Sequence, residues 1–220
     1  TIYERRFTAQ PEDTFVVFSD GVIHAGVGTK SLPLGWLRKN AVAFLEEKYR
    51  PCVSAAALTR LLLSRCNEIY EGHPMDDTSV LTVRLRRPLQ LNLMAGPPAD
   101  PEKDVETVKK FMALPGLHAI CGGSTSQMTS RILGRTMSVN LDYDDPKVPP
   151  TAAMEGIELV AEGALTLTRT LQYLEQYRQK GASAVVPGKN GAAQLARMLT
   201  DQCTNLHMML GMARNPAHQN

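Results

Sequence analysis

Two short aspartate motifs carry the residues most able to do chemistry. Ser19-Asp20-Gly21 directly follows the apolar run Phe15-Val16-Val17-Phe18, and Asp76-Asp77-Thr78-Ser79 directly precedes Val80-Leu81-Thr82-Val83. Each motif puts a carboxylate at the end of an expected β-strand. Hard oxygen ligands held at a sheet edge can converge on a divalent cation such as Mg²⁺ or Mn²⁺. The same residue types also suit ordinary turns, because Asp and Gly both tolerate the backbone of a tight reversal. His24, just beyond Gly21, reads as a surface residue in a loop and stays outside the ligand set.

The elements that must position these carboxylates follow from local pattern. Phe15 to Ser19 is short, aromatic and β-branched, and Ser79 to Leu85 is bounded by Arg86-Arg87-Pro88, so both read as strands. Between them lie two stretches with helical spacing, Gly35 to Tyr49 and Ser54 to Tyr70, separated by Arg50-Pro51. Leu37, Ala41, Phe44, Leu45 and Tyr49 share one face of the first. Leu58, Leu61, Leu62, Arg65 and Ile69 lie together on the second, with Ser54 as the expected N-cap. The order is strand, helix, helix, strand.

In that order, with both motifs in place, residues 1–88 resemble the metal-dependent protein phosphatases of the PPM class, and within it the bacterial SpoIIE-type serine phosphatases. The resemblance implies that Asp20 and Asp76 are metal ligands, with Gly21 and Asp77 as neighbours of the site. It further implies two Mn²⁺ or Mg²⁺ ions about 3.5–4 Å apart, an activated water, and direct hydrolysis of a phosphoserine or phosphothreonine in a regulatory protein substrate. The family's domain also carries a Gly-Asp-Gly strand whose aspartate bridges the metals, and residues 1–13 do not supply it. The chain starts without Met and is therefore expected to be the C-terminal part of a longer protein, inactive alone. Its two strands, lacking sheet neighbours, are expected to favour self-association.

Length and composition fit one or two globular domains: 220 residues, 43% hydrophobic and 21% charged. A net charge of +2 gives no reason to expect nucleic acid or membrane as a partner, and no apolar stretch approaches a membrane span. Cys52, Cys66, Cys121 and Cys203 are irregularly spaced, which argues against a zinc ribbon or disulfide framework and for a reducing cytoplasm.

A boundary is expected near residues 86–101, where Arg86-Arg87-Pro88 and Gly96-Pro97-Pro98-Ala99-Asp100-Pro101 interrupt regular structure. Residues 89–220 then alternate helix and strand, so the fold class is α/β: a partial phosphatase domain followed by a domain with a mostly parallel sheet. Expected elements are strands at 89–94, 117–121, 137–141 and 206–210, and helices from Pro101, at 127–133, 165–178 and 192–202.

Chemistry in this second domain concentrates at Gly122, Gly123, Ser124, Thr125 and Ser126. A strand that turns through two glycines into a helix exposes backbone N–H groups at the positive end of the helix dipole, a cradle for phosphate or carboxylate. Asp142, at the end of the next expected strand, could accept hydrogen bonds from a ribose. Neither Gly-x-Gly-x-x-Gly nor Gly-x-x-x-x-Gly-Lys-Ser/Thr is present. Three readings follow: a metal-dependent phosphatase portion, a nucleotide- or anion-binding regulatory module, and a structural or interaction domain whose aspartates are turn residues.

Overall fold

The computed structural model describes residues 3–51, 53–140, 145, 147–181 and 186–213. The chain divides into two units, Thr1–Arg87 and Pro88–Asn220. Each has its own apolar core.

In the first unit, the strand runs become β1 (Thr14–Phe18) and β2 (Val80–Arg84), which pair antiparallel with Phe18 opposite Val80. A single helical turn, α1 (Asp20–Ile23), follows β1 directly. The helical stretches form α2 (Arg38–Lys48) and α3 (Ala55–Ile69). Ser54 caps α3 as its sequence suggests, its hydroxyl accepting from the Ala57 N–H at 3.1 Å. The buried stripe of α3 is Leu58, Leu62 and Cys66, one residue per turn, whereas Leu61 faces outward. Cys66 takes the inward place expected of Arg65, following the i, i+4, i+8 row toward Val22, Trp36 and Ala41, while Ile69 packs against the same core as its position suggests.

The second unit is α/β with a mostly parallel sheet. Its elements are β3 (Gln90–Ala95), α4 (Asp104–Ala113), β4 (Leu117–Cys121), α5 (Gly123–Leu133), β5 (Ser138–Val139), β6 (Ala152–Met154), β7 (Ile157–Ala161), α6 (Ala164–Lys180), α7 (Gly191–Arg197) and β8 (Asn205–Leu210). A turn at Pro101–Lys103 leads into α4, and a π-helical turn at Met198–Gln202 ends α7. Among the described residues the six-stranded order is β5-β6-β7-β4-β3-β8. Strands β7, β4, β3 and β8 are parallel, while β5 and β6 add antiparallel to one edge.

Both faces of the central strands β3, β4 and β7 are covered, which explains their near-continuous apolar sequences, whereas edge strand β8 leaves Leu206, Met208 and Leu210 exposed. Leu91, Leu93, Ala119, Cys121 and Leu159 point to the side of Leu195 and Met198. Met94, Ile120 and Val160 point to the other, against Val108 and Phe111 of α4 and Met128 of α5. The chain thus begins in the middle at β3, moves outward through β4 to β7, and returns to the far side of β3 as β8.

Two sequence expectations change here. The strand beside β4 is β7, which reads as a short apolar run interrupted by Glu158, and β6 pairs with it through a Glu155-Gly156 reversal. Of the strand expected at 137–141, the described part pairs only over Ser138–Val139.

Candidate metal centre

The geometry around Asp20 begins with Ser19. Its hydroxyl donates to the Asp77 carbonyl at 3.0 Å and accepts from the Ser79 N–H at 2.9 Å. The backbone adds a third link, Ser19 N–H to the Ser79 carbonyl at 3.0 Å. These bonds continue the β1–β2 ladder by one residue and carry it into both aspartate motifs.

Gly21 serves close approach. A Cβ there would lie 2.5 Å from the Asp77 carbonyl oxygen and 2.8 Å from Thr78 Oγ1, closer than side chains pack. From the other side, Tyr70 at the end of α3 donates its phenol to the Gly21 carbonyl at 2.8 Å. Burial is the main cause that pushes the Tyr70 phenol above its ordinary pKa, with a hydrogen bond to Thr78 acting in the opposite sense. Its proton therefore stays in place as the donor at neutral pH.

α1 then brings in a residue left outside the sequence-based set. The His24 N–H closes an i to i+4 bond onto the Asp20 carbonyl at 2.8 Å, so His24 sits one helical turn above Asp20 on the same face. Ligand atoms of Asp20, His24 and Asp76 all lie within 4.8 Å of one another. His24 Nδ1 is 4.0 Å from Asp76 Oδ2. The other Asp76 oxygen, Oδ1, accepts the Asp77 N–H at 2.8 Å, which fixes the carboxylate's orientation. The signal for His24 was its spacing from Asp20, legible only if a helix begins at Asp20.

This donor set fits a hard divalent cation. Two carboxylates and one imidazole, all exposed, provide charge, accessible oxygens and a nitrogen suited to Mn²⁺. Asp77 lies beside the cluster and contributes its backbone carbonyl to Ser19.

In the second unit, Gly122 follows β4 and α5 starts at Gly123, one turn earlier than expected. Ser124 is exposed. Thr125 is buried, and its hydroxyl has no hydrogen-bond partner. Ser126 is turned inward, donating to the Gly123 carbonyl at 2.9 Å. Asp142 lies outside the described residues. Glu162 is the acidic residue that follows the strand next to β4, a place visible only once β7 is known. The Cys121 thiol is pushed up to about 12, chiefly by burial and further by the charge of Glu162, so it is an inert core group.

The first unit is an antiparallel strand pair joined through a helical hairpin, with an aspartate motif at the end of β1 and another ahead of β2. Residues 1–86 match the family model of Stage II sporulation protein E (SpoIIE). No curated protein and no solved structure matches the chain. No helix among the described residues is long and apolar enough to cross a membrane.

Proposed function

We propose that residues 1–86 contribute Asp20 and Asp76 to a metal-dependent site that hydrolyses phosphoserine or phosphothreonine in a protein substrate. The observation that carries this reading is the convergence of the two carboxylates, with His24, within 4.8 Å. The family match over the same residues supports it. Asp20 and Asp76 would hold Mn²⁺ or Mg²⁺, with His24 as a third donor. Such an ion, when bound, supplies an acidified water and neutralises phosphate oxygens.

The chain's own part is positional. Ser19 locks the two motifs in register, the missing side chain of Gly21 lets the Asp77 backbone close in, and Tyr70 anchors the start of α1. Both carboxylates are thereby held on the exposed side of the turn, where a phosphorylated segment has access.

The test is a Mn²⁺ titration by calorimetry on the chain and on Asp20→Asn, Asp76→Asn and Asp77→Asn, alongside thermal melting. Asn keeps size and one acceptor oxygen but loses charge. Asp20→Asn and Asp76→Asn are expected to lower affinity roughly tenfold or more, since affinity follows ligand charge count. Melting should hold, and Asp77→Asn should have a smaller effect. Wild-type Mn²⁺ binding by Asp20→Asn would remove the reading. Phosphate release from a phosphoserine peptide by a protein that also carries the Gly-Asp-Gly strand, measured against Mn²⁺ concentration, tests the substrate class.

A further inference from the structure

The carboxyl-terminal rim of the second unit's sheet is built in an unusual way. Ala95 of β3 is in register with Cys121 of β4 and with Leu210 of β8, and Cys121 is in register with Ala161 of β7. The next residue of each strand is therefore Gly96, Gly122, Glu162 and Gly211. Three of the four carry no side chain, which leaves Glu162 as the side chain this row presents.

Two helices start at this rim, and their first turns abut. α5 follows Gly122 and α6 follows Gly163, and a Cβ on Gly163 would lie 3.4 Å from the Gly122 Cα. Gly122 has φ +130°, a conformation that side-chain-bearing residues rarely adopt. Neither helix has a side-chain cap, so first-turn N–H groups of both are left for another acceptor. By contrast, Asp100 caps the turn entering α4, and Asn190 caps α7.

A second, independent feature points to a ligand. Thr125 and Thr166 are the third residues of α5 and α6, each is 0% exposed, and neither hydroxyl has a hydrogen-bond partner. Thr125 Oγ1 lies 3.0 Å from the place a Cβ on Gly122 would occupy, so it is aimed at the turn between strand and helix. Buried hydroxyls are ordinarily satisfied. Here two unsatisfied ones stand at equivalent positions behind the same rim.

The charge pattern selects the ligand class. Paired helix starts favour an anion, but Glu162 Oε1 comes within 4.0 Å of the Cβ position on Gly123. A bare anion would meet that carboxylate's repulsion. A ligand that brings hydroxyl donors along with its anion would engage both. Next to the rim, a cavity of ≈ 910 Å³ opens at Ser124 and is lined also by Pro97, Pro98, Met128, Arg131 and Met212. Its size and partly apolar wall suit a nucleoside. We propose that this rim binds a nucleoside diphosphate, its phosphates on the first turns of α5 and α6 and its ribose hydroxyls on Glu162.

The test uses the full chain in EDTA, which separates this site from any metal at Asp20 and Asp76. ADP, GDP, CDP and UDP are titrated by calorimetry, with adenosine and inorganic phosphate as partial ligands. At least one diphosphate is expected to bind, with adenosine and phosphate each at least tenfold weaker. Glu162→Gln should weaken the diphosphate at least tenfold while leaving or improving phosphate binding. Thr125→Val, close in shape but lacking the hydroxyl, should weaken it without lowering the melting temperature. Absence of binding by all four diphosphates, phosphate binding as tight as the best of them, or unchanged affinity in Glu162→Gln would each overturn the proposal.

Discussion

The Ser19 hydroxyl and the Asp77 carbonyl lie 3.0 Å apart in a hydrogen bond that joins the two aspartate motifs directly. Because the same oxygen accepts from Ser79, one small side chain sets the separation of Asp20 from Asp76. Ser19→Ala is expected to cost about 1 kcal/mol, the usual net value of a partly exposed hydrogen bond. It should weaken Mn²⁺ binding more than that loss alone would suggest. Urea unfolding and Mn²⁺ calorimetry on the same variant check both effects; equal Mn²⁺ affinity would show that Ser19 does not set the geometry.

Gly21 is expected to tolerate no side chain. A Cβ would collide with backbone atoms of Asp77 at 2.5 Å and 3.0 Å, and backbone yields less readily than a side-chain tip. Gly21→Ala should destabilise the first unit by about 1–3 kcal/mol, the range for forced overpacking. It should also loosen Asp76 relative to Asp20. Chemical denaturation reports the first effect and Mn²⁺ titration the second.

Alkaline pH should destabilise the chain through its buried thiols. Burial raises Cys66 to about 11 and Cys121 to about 12, above the thiol value of 9.0. A raised folded pKa means that the folded chain holds protons the unfolded chain gives up. The resulting stability is complete below pH 9 and is lost as pH rises through about 11 and then 12. Denaturation midpoints measured from pH 8 to pH 11 should fall, and Cys66→Ala should flatten the lower part of that slope.

The first unit's sheet should drive association between copies. Val17 and Leu81 face each other across the β1–β2 ladder and are 61% and 60% exposed, with Val83 also open on β2. A two-stranded sheet with an apolar face and free edges is a template for another chain. Light scattering is expected to show concentration-dependent oligomers, and Val17→Lys with Leu81→Lys should restore the monomer. A monodisperse wild-type monomer would count against this.

Local pattern was enough for elements long or regular enough to carry their own signal. The β1 and β2 runs, the α2 and α3 periodicities, the Ser54 cap and the strand Leu117–Cys121 follow from side-chain alternation, helical spacing and capping chemistry. α1 did not, because a single turn has too few internal hydrogen bonds to form by itself. It exists because Tyr70 and the Asp77 backbone hold its start and the Leu37 N–H holds its end at the Ile23 carbonyl, and only then does His24 join Asp20.

The same division holds in the second unit. The Gly122-Gly123 turn was legible from residue type, since only glycine combines the required backbone with close approach. Which acidic residue stands beside it was not. That depends on which strand pairs with β4, a long-range choice made by sheet packing and invisible to a short window. By itself the sequence determined the longer strands and helices, though not α1, β6 or β7, and the residue types able to hold a cation or an anion. Tertiary pairing decided which of them meet, because hydrogen-bonded register and burial act between segments far apart in the chain, and it placed Asp20 beside Asp76 and Glu162 beside Gly123.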